Sequence, residues 1–220
     1  RDDYKASGVP PRTATGVLQS APSPILDTLT TALGAYGVIR LRTAYSGYAF
    51  KIRRASGSPA TLDVGFVGDV ADWAAVDAFI SGTTGRLETW YDQTGNGYDL
   101  TPNTNAPKIR TSTVAGNRCI SFCQDAGGTN FVGMTIPSGL SVTKNAFSVV
   151  TVLNPTAPME STQSYFSINN DATYTNVVTL GALSNGGKFQ VIGASAATYT
   201  ATADATPPAI PQVWTMVNAA

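Results

Sequence analysis

Few side chains in this sequence can do acid–base or nucleophilic work. Its 220 residues include no histidine, two cysteines and 14 Asp and Glu residues. Without an imidazole, Ser-His-Asp and Cys-His catalysis and all histidine metal sites are excluded. Cys119 and Cys123 alone cannot supply the ligands of a structural zinc site. No phosphate-cradling Gly-Lys-Ser/Thr loop and no dinucleotide fingerprint occurs, so no cofactor is assigned. What remains is carboxyl chemistry. Glycoside hydrolysis needs only two carboxyl groups, about 5–10 Å apart across the sugar. Beyond Asp125, however, the acidic residues are only Glu160, Asp171 and Asp204. All three stand in polar, turn-like stretches, where carboxylates are usually solvated.

The densest polar constellation is Trp90-Tyr91-Asp92-Gln93-Thr94-Gly95-Asn96-Gly97-Tyr98-Asp99. Asp92, Thr94, Asn96 and Gly97 fall at the first, third, fifth and sixth places of a calcium loop. The twelfth place is Asn103, where an EF-hand needs a bidentate Glu. The competing reading is a tight turn, with Gly95 and Gly97 at positive φ and Asp92 accepting from backbone amides. The turn is preferred and no metal is assigned. Arg40, Arg42, Lys51, Arg53 and Arg54 form a basic cluster. It reads as structural pairing with Asp63, Asp69 or Asp92, against an anionic-ligand patch as the alternative. Cys119 and Cys123 are four residues apart on one expected strand, about 13 Å at the usual rise. That is too far for a disulfide, so they read as buried thiols, with a bridge to another chain as the minority reading.

The elements that must position these residues follow from periodicity. Residues 1–24, with two proline-containing stretches, read as an extended arm or linker. Ser23-Pro24 supplies a cap and a first-turn proline, and Ile25, Leu26, Leu29 and Leu33 follow at helical spacing up to Gly34. A second short helix is expected over residues 35–45, carrying Arg40 and Arg42. Alternation then marks strands at 48–54, where Tyr48, Phe50 and Ile52 share a face, and at Leu62, Val64 and Phe66. Asp69 is the expected cap of a helix with Trp73, Val76 and Ile80 inward. Leu87 to Tyr91 is another strand. Further strands are expected at 118–123, 130–136, 146–153, 164–168, 176–182, 188–193, 197–202 and 212–218, separated by Gly, Asn and Pro turns. Many short strands of this kind imply a mainly β fold, a sandwich or jelly roll with a few short helices in the N-terminal half. One such sandwich is expected over residues 25–220. The strand Val213-Trp214-Thr215-Met216-Val217 stands close to the last residue, which points to a fragment of a longer protein.

Charge narrows the partners. Net charge is zero and charged residues make up 13%, about half the usual share. Twelve of the 14 Lys and Arg residues lie at or before Arg118. Nucleic-acid binding, which needs a basic field, is therefore not expected. No apolar run reaches the roughly 18–20 residues of a membrane span.

Several motifs together resemble a known family. They are Ala35-Tyr36 through Tyr45-Ser46-Gly47, then Ile52-Arg53-Arg54, Asp63-Val64-Gly65-Phe66, and above all Thr89-Trp90-Tyr91-Asp92-Gln93-Thr94-Gly95-Asn96-Gly97. This ordered set, across roughly residues 30–105, resembles the catalytic domain of α-L-arabinofuranosidase B, glycoside hydrolase family 54. The remainder, from Cys119 to Phe122, through Phe147 and on to Val213 and Trp214, is similar by pattern to a concanavalin-A-like lectin/glucanase sandwich. The resemblance implies a retaining glycosidase with a Glu nucleophile, an Asp acid/base and a vicinal cysteine pair lining the sugar pocket. Where that pair is implied the sequence has Ser164-Tyr165-Phe166. Where the nucleophile is implied, near Val191 to Ser195, there is no carboxylate. The acid/base would fall near or beyond the last residue. The Trp-Tyr-Asp-Gln module also resembles one in bacteriophage tail and other virion proteins.

The expectation drawn from this balance is a non-catalytic β-sandwich on a phage virion surface, as tail fibre, spike or capsid decoration. Its expected partners are other virion subunits, copies of itself and a host-surface glycan. Tyr98, Tyr174 and Tyr199 are the expected glycan-stacking residues. Residues Trp90 to Gln93, Gly95, Asn96 and Gly97 are the structural motif. Two alternatives stay open: an arabinofuranosidase-like glycoside hydrolase, and a secreted lectin-type module of a cell.

Overall fold

The computed structural model describes residues 23–29, 31–57, 60–103, 105–114, 117–122, 132–135, 137, 147–153, 163–169, 177–182, 189–192, 198–199 and 212–218. The chain divides into two compact units. The first comprises residues 1–112 and 118–141, the second 113–117 and 142–220. Among the described residues the chain is mainly β, with two short helices.

The first unit is built on a sheet of order β2-β1-β5-β7-β8. Its strands are β1 (Phe50–Arg54), β2 (Thr61–Val64), β5 (Gly85–Trp90), β7 (Lys108–Val114) and β8 (Asn117–Ser121). Strand β1 pairs antiparallel with both β2 and β5. Alternation puts Phe50 and Ile52 on the inner face, opposite Val64 and Leu62 on one side and Trp90 and Leu87 on the other. Phe50, Ile52 and Leu87 are fully buried. Burying each such side chain contributes about 1.5–3 kcal/mol. The register between β1 and β5 shifts between Lys51 and Ile52. Glu88 is thereby the extra residue on β5, a bulge of the kind that increases local twist.

Helix α2 (Trp73–Phe79) covers this face. Val76 is fully buried, and the Trp73 ring lies 5.6 Å from that of Phe50. The cap is Asp72, whose carboxylate accepts from the Ala75 amide at 3.0 Å. Asp69, the expected cap, instead pairs with Arg40 at 3.5 Å. It sits in the turn between β3 (Phe66–Val67) and β4 (Val70–Ala71). On the exposed side of α2, Arg118 meets Asp77 at 2.7 Å and lies over the Trp73 ring. Strands β6 (Thr101–Pro102) and β9 (Met134–Thr135) form a small separate pair.

The segment before β1 departs from expectation. The helix α1 spans only Ile25–Thr28, with Pro24 at the N-cap. Leu29 and Leu33 are nearly half exposed, so the helical apolar stripe has nothing to pack against and the helix does not propagate. Residues 35–45 form bends and turns rather than a helix. The second unit contains a two-stranded sheet of β10 (Phe147–Leu153) and β15 (Gln212–Asn218). It also contains a four-stranded sheet of β11 (Gln163–Asn169), β12 (Val177–Ala182), β13 (Phe189–Ile192) and β14 (Thr198–Tyr199). Each of the eight strands expected from residue 118 onward overlaps a strand among the described residues, those at 130–136 and 197–202 only at Met134–Thr135 and Thr198–Tyr199. Strand β7 was not anticipated, because Lys108, Arg110 and three Thr or Ser residues hide its alternation.

Candidate functional site

The polar constellation after β5 is a turn that ties down irregular chain. Gly95 and Gly97 take φ of +87° and +78°, a region that L side chains rarely adopt. Their backbone folds the loop back over Asp92, which is 4% exposed. Asp92 Oδ1 accepts from the amides of Ala35 at 3.0 Å and Thr94 at 2.9 Å. Its Oδ2 accepts from the Thr94 hydroxyl at 2.6 Å and the Tyr98 amide at 3.3 Å. The Asp92 amide itself donates to Asp99 Oδ1. Both carboxylate oxygens are thus filled by donors of the chain. The loop holds Asp92 as an anchor of backbone amides and leaves its oxygens no lone pair directed at a cation.

Gln93 completes the clamp. It is fully buried and all of its side-chain bonds run to the 37–41 stretch. Its Oε1 accepts from the Leu41 amide, and its Nε2 donates to the carbonyls of Gly37 and Ile39. Asn96 Nδ2 donates to the carbonyls of Ala32 and Leu33. Arg42 reaches the Thr94 carbonyl at 2.8 Å. A segment without regular secondary structure cannot pair its own backbone groups, and leaving them buried and unpaired is costly. Here three side chains of one loop satisfy part of them, beside the backbone bonds that Val38 and Arg40 make with Ala71 and Asp69. The Tyr36 hydroxyl donates to the Tyr98 carbonyl at 2.5 Å. Burial raises the Tyr36 phenol well above its usual range, and the charges of Asp92 and Asp99 push it further.

The basic cluster resolves into separate contacts. Arg40 meets Asp69, donates to the carbonyls of Tyr45 and Gly68, and lies over the Phe66 ring. Lys51 pairs with Asp63 at 3.6 Å. Arg54 donates to the Ser81 carbonyl. Among the described carboxylates, Asp72 is a helix cap, Asp27 accepts from Thr43, and Asp69 and Asp77 are paired with arginines. Glu88 is the exception: its Oε2 is buried and accepts no hydrogen bond.

Of the expected stacking residues, Tyr98 is half-buried, with its amide and carbonyl engaged in the clamp. Tyr199 is on β14, and Tyr174 lies outside the described residues. Cys119 is half-buried on β8, and Cys123 lies outside the described residues. So do Asp125, Glu160, Asp171 and Asp204. Sequence reading missed a second aromatic group. Tyr48 and Tyr91 stand with ring centroids 6.2 Å apart, and the Tyr91 hydroxyl donates to Asp63 Oδ1 at 2.5 Å. Alternation places Tyr48 on the face of Phe50 and Ile52, whereas the structure leaves it 51% exposed, and no local signal in the sequence marks the difference.

The family described as alpha-L-arabinofuranosidase B, catalytic, matches residues 26–208. The alpha-L-arabinofuranosidase B of Emericella nidulans is 40% identical over 74 residues, 33% of this chain and 14% of that protein. A crystal structure of an arabinofuranosidase complexed with arabinofuranosyl-alpha-1,2-xylobiose aligns with a TM-score of 0.57 and 20% identity, over 80% of this chain and 42% of that one. A Glu-to-Gln mutant of a family 54 α-L-arabinofuranosidase, soaked with 4-nitrophenyl α-L-arabinofuranoside, aligns with a TM-score of 0.57 and 19% identity, over 81% and 43%. The chain therefore spans less than half the length of the relatives it matches. These structures carry the fold, a β-sandwich with few helices. The family match overturns the expectation of a non-catalytic virion sandwich: it runs through most of both units, and the domain it describes is a catalytic one.

Proposed function

Since the chain belongs to the family of α-L-arabinofuranosidase B catalytic domains, we propose that it is part of a glycoside hydrolase that releases α-L-arabinofuranosyl groups from a xylan-type chain. The observation that carries this reading is the match over residues 26–208. The solved relative holding arabinofuranosyl-alpha-1,2-xylobiose supports the substrate class. The role of the Asp92 clamp in such an enzyme is to fix the frame. It binds the 32–42 stretch to the end of β5 through neutral and charge-assisted hydrogen bonds, which costs no catalytic carboxylate.

The retaining reaction that the family resemblance implies needs one carboxyl group to protonate the leaving oxygen and a second to attack the anomeric carbon. The described carboxylates other than Glu88 are committed to caps, ion pairs or backbone amides. Within the matched residues 26–208 the candidates for the reacting pair are therefore Glu88, Asp125, Glu160, Asp171 and Asp204, together with acids of any longer chain to which this sequence belongs. The absence of a carboxylate near Val191 to Ser195 bears on the position of the nucleophile within this set and does not remove the chemistry.

The test is arabinose release from 4-nitrophenyl α-L-arabinofuranoside and from an arabinosylated xylo-oligosaccharide by the full-length protein. Each candidate is then replaced by its amide. One or two replacements should reduce kcat at least about a thousandfold, the scale of losing a positioned acid or nucleophile. If no arabinose appears from either substrate, the reading fails. If it appears and every replacement leaves kcat intact, the assignment of the reacting pair fails.

A further inference from the structure

The group formed by Tyr48, Tyr91, Asp63 and Lys51 takes no part in the Asp92 clamp. Tyr48 is 51% exposed although it adjoins fully buried Ala49 and Phe50. Its ring passes over Gly65, where a Cβ would lie 3.9 Å from the ring edge. It stands beside Tyr91. The Tyr45 hydroxyl donates to the backbone carbonyl of Tyr48 at 2.9 Å, and the Tyr45 ring meets Phe66 edge-on. Tyr48 is thus packed beside Tyr91 and Gly65 and tied at its backbone by Tyr45, while half of the residue stays open to solvent. An exposed aromatic ring fixed in this way loses little entropy when something stacks on it.

The polar half of the group is equally fixed. Lys51 and Asp63 are cross-strand partners on β1 and β2. Asp63 Oδ1 receives both the Tyr91 hydroxyl and the Lys51 ammonium. Asp63 Oδ2 accepts no hydrogen bond among the described residues. The two side chains remain 38% and 31% exposed. The result is a part-exposed carboxylate and ammonium, together of zero net charge, linked through Tyr91 to a half-exposed aromatic ring. Its chemistry suits a neutral polyol, which offers apolar C–H faces to a ring and hydroxyls to a carboxylate and an ammonium. An anionic ligand would meet Asp63, and an apolar one would strand the ion pair.

We propose that Tyr48, Asp63 and Lys51 form a surface binding site for a neutral pentose chain, with a sugar ring stacked on Tyr48 and its hydroxyls on Asp63 Oδ2 and Lys51 Nζ. The identity of the sugar rests on the proposed function; the platform itself does not. Tyr91 is a positioning residue that orients Asp63. Burial, followed by the hydrogen bond to Asp63, raises the Tyr91 phenol well above its usual range, so it donates through neutral and mildly alkaline pH.

The test is native affinity electrophoresis of the full-length protein through gels containing soluble arabinoxylan, run cold to limit turnover. Wild-type protein should be retarded, and Tyr48→Ala should weaken the apparent affinity about fivefold or more. Asp63→Asn should weaken it too, whereas Tyr48→Trp should preserve it. Melting temperatures close to wild type confirm that the variants fold. An unretarded wild type, or a Tyr48→Ala protein as retarded as wild type, overturns the site. Because migration does not depend on hydrolysis, a protein that binds without releasing arabinose retains the site and loses the proposed activity. One that releases arabinose without being retarded does the reverse.

Discussion

Two neighbouring stretches of the first unit are ordered by opposite means. The sheet of β1, β2 and β5 is held by apolar side chains that alternate along each strand, with Phe50, Ile52 and Leu87 fully buried. The stretch from residue 32 to 42 has only an isolated bridge, Ile39 to Val70, and takes further hydrogen bonds from the side chains of Asp92, Gln93 and Asn96, more than 50 positions later. The first kind of order is non-directional and tolerates any apolar group of the right volume. The second depends on particular polar atoms, and each loss exposes a buried partner. The two should therefore fail differently.

The largest effect is expected in the sheet. Phe50→Ala should lower stability by about 3–5 kcal/mol, the usual range for emptying a buried phenylalanine site. Denaturant unfolding should show it, and amide protection should fall across β1, β2 and β5 together. Asp92→Ala should cost less, about 3 kcal/mol, through four lost hydrogen bonds. Hydrogen exchange should then accelerate first at Ala35, Thr94 and Tyr98 while the β1 amides stay protected. A uniform loss in both variants would erase the distinction between the regions. Gly95→Ala should cost about 1–2 kcal/mol by forcing a Cβ into the left-handed region, with the same local exchange pattern as Asp92→Ala.

The smallest effect is on pH. Burial raises the phenols of Tyr36, Tyr45 and Tyr91 in the folded state. The unfolded chain therefore loses these protons first as pH rises. Their contribution is fully present below about pH 10, the usual tyrosine value, and is lost above it. Thermal melts should fall on the alkaline side, and absorbance titration should find these three phenols ionising later than exposed tyrosines. Tyr91→Phe should flatten part of that alkaline slope. An identical slope in the variant would show that Asp63 does not hold the phenol protonated.

The contrast also explains what could be read from sequence. Alternation is a local signal, so β1, β2 and β5 and the later strands were legible, as was the mainly β fold. Helical spacing at Ile25, Leu26, Leu29 and Leu33 was equally local and misled, because only Leu26 finds a buried place. Residues 35–45 misled for a related reason. Their conformation is set by acceptors and donors on Gln93 and Asp92, and no property of residues 35–45 themselves records that. The cap on α2 moved from Asp69 to Asp72 because β3 and β4 form a two-residue-strand hairpin that occupies Asp69. The motif from Trp90 to Gly97 was visible as a turn because Gly and Asp declare turns chemically. The functional reading erred where pattern replaced motif. The absent carboxylate near Val191 to Ser195, the absent cysteine pair at Ser164-Tyr165-Phe166 and the turn-like setting of Glu160, Asp171 and Asp204 were weighed above the motif from Thr89 to Gly97, and the family match over residues 26–208 overturns that weighing.

The most direct test of the account is a proton NMR time course of 4-nitrophenyl α-L-arabinofuranoside with the full-length protein. Arabinose should appear, and the first-formed anomer should be α, as a double displacement requires. An unchanged substrate spectrum, under conditions where the protein is folded, would contradict the proposed activity; a first-formed β anomer would contradict the retaining mechanism.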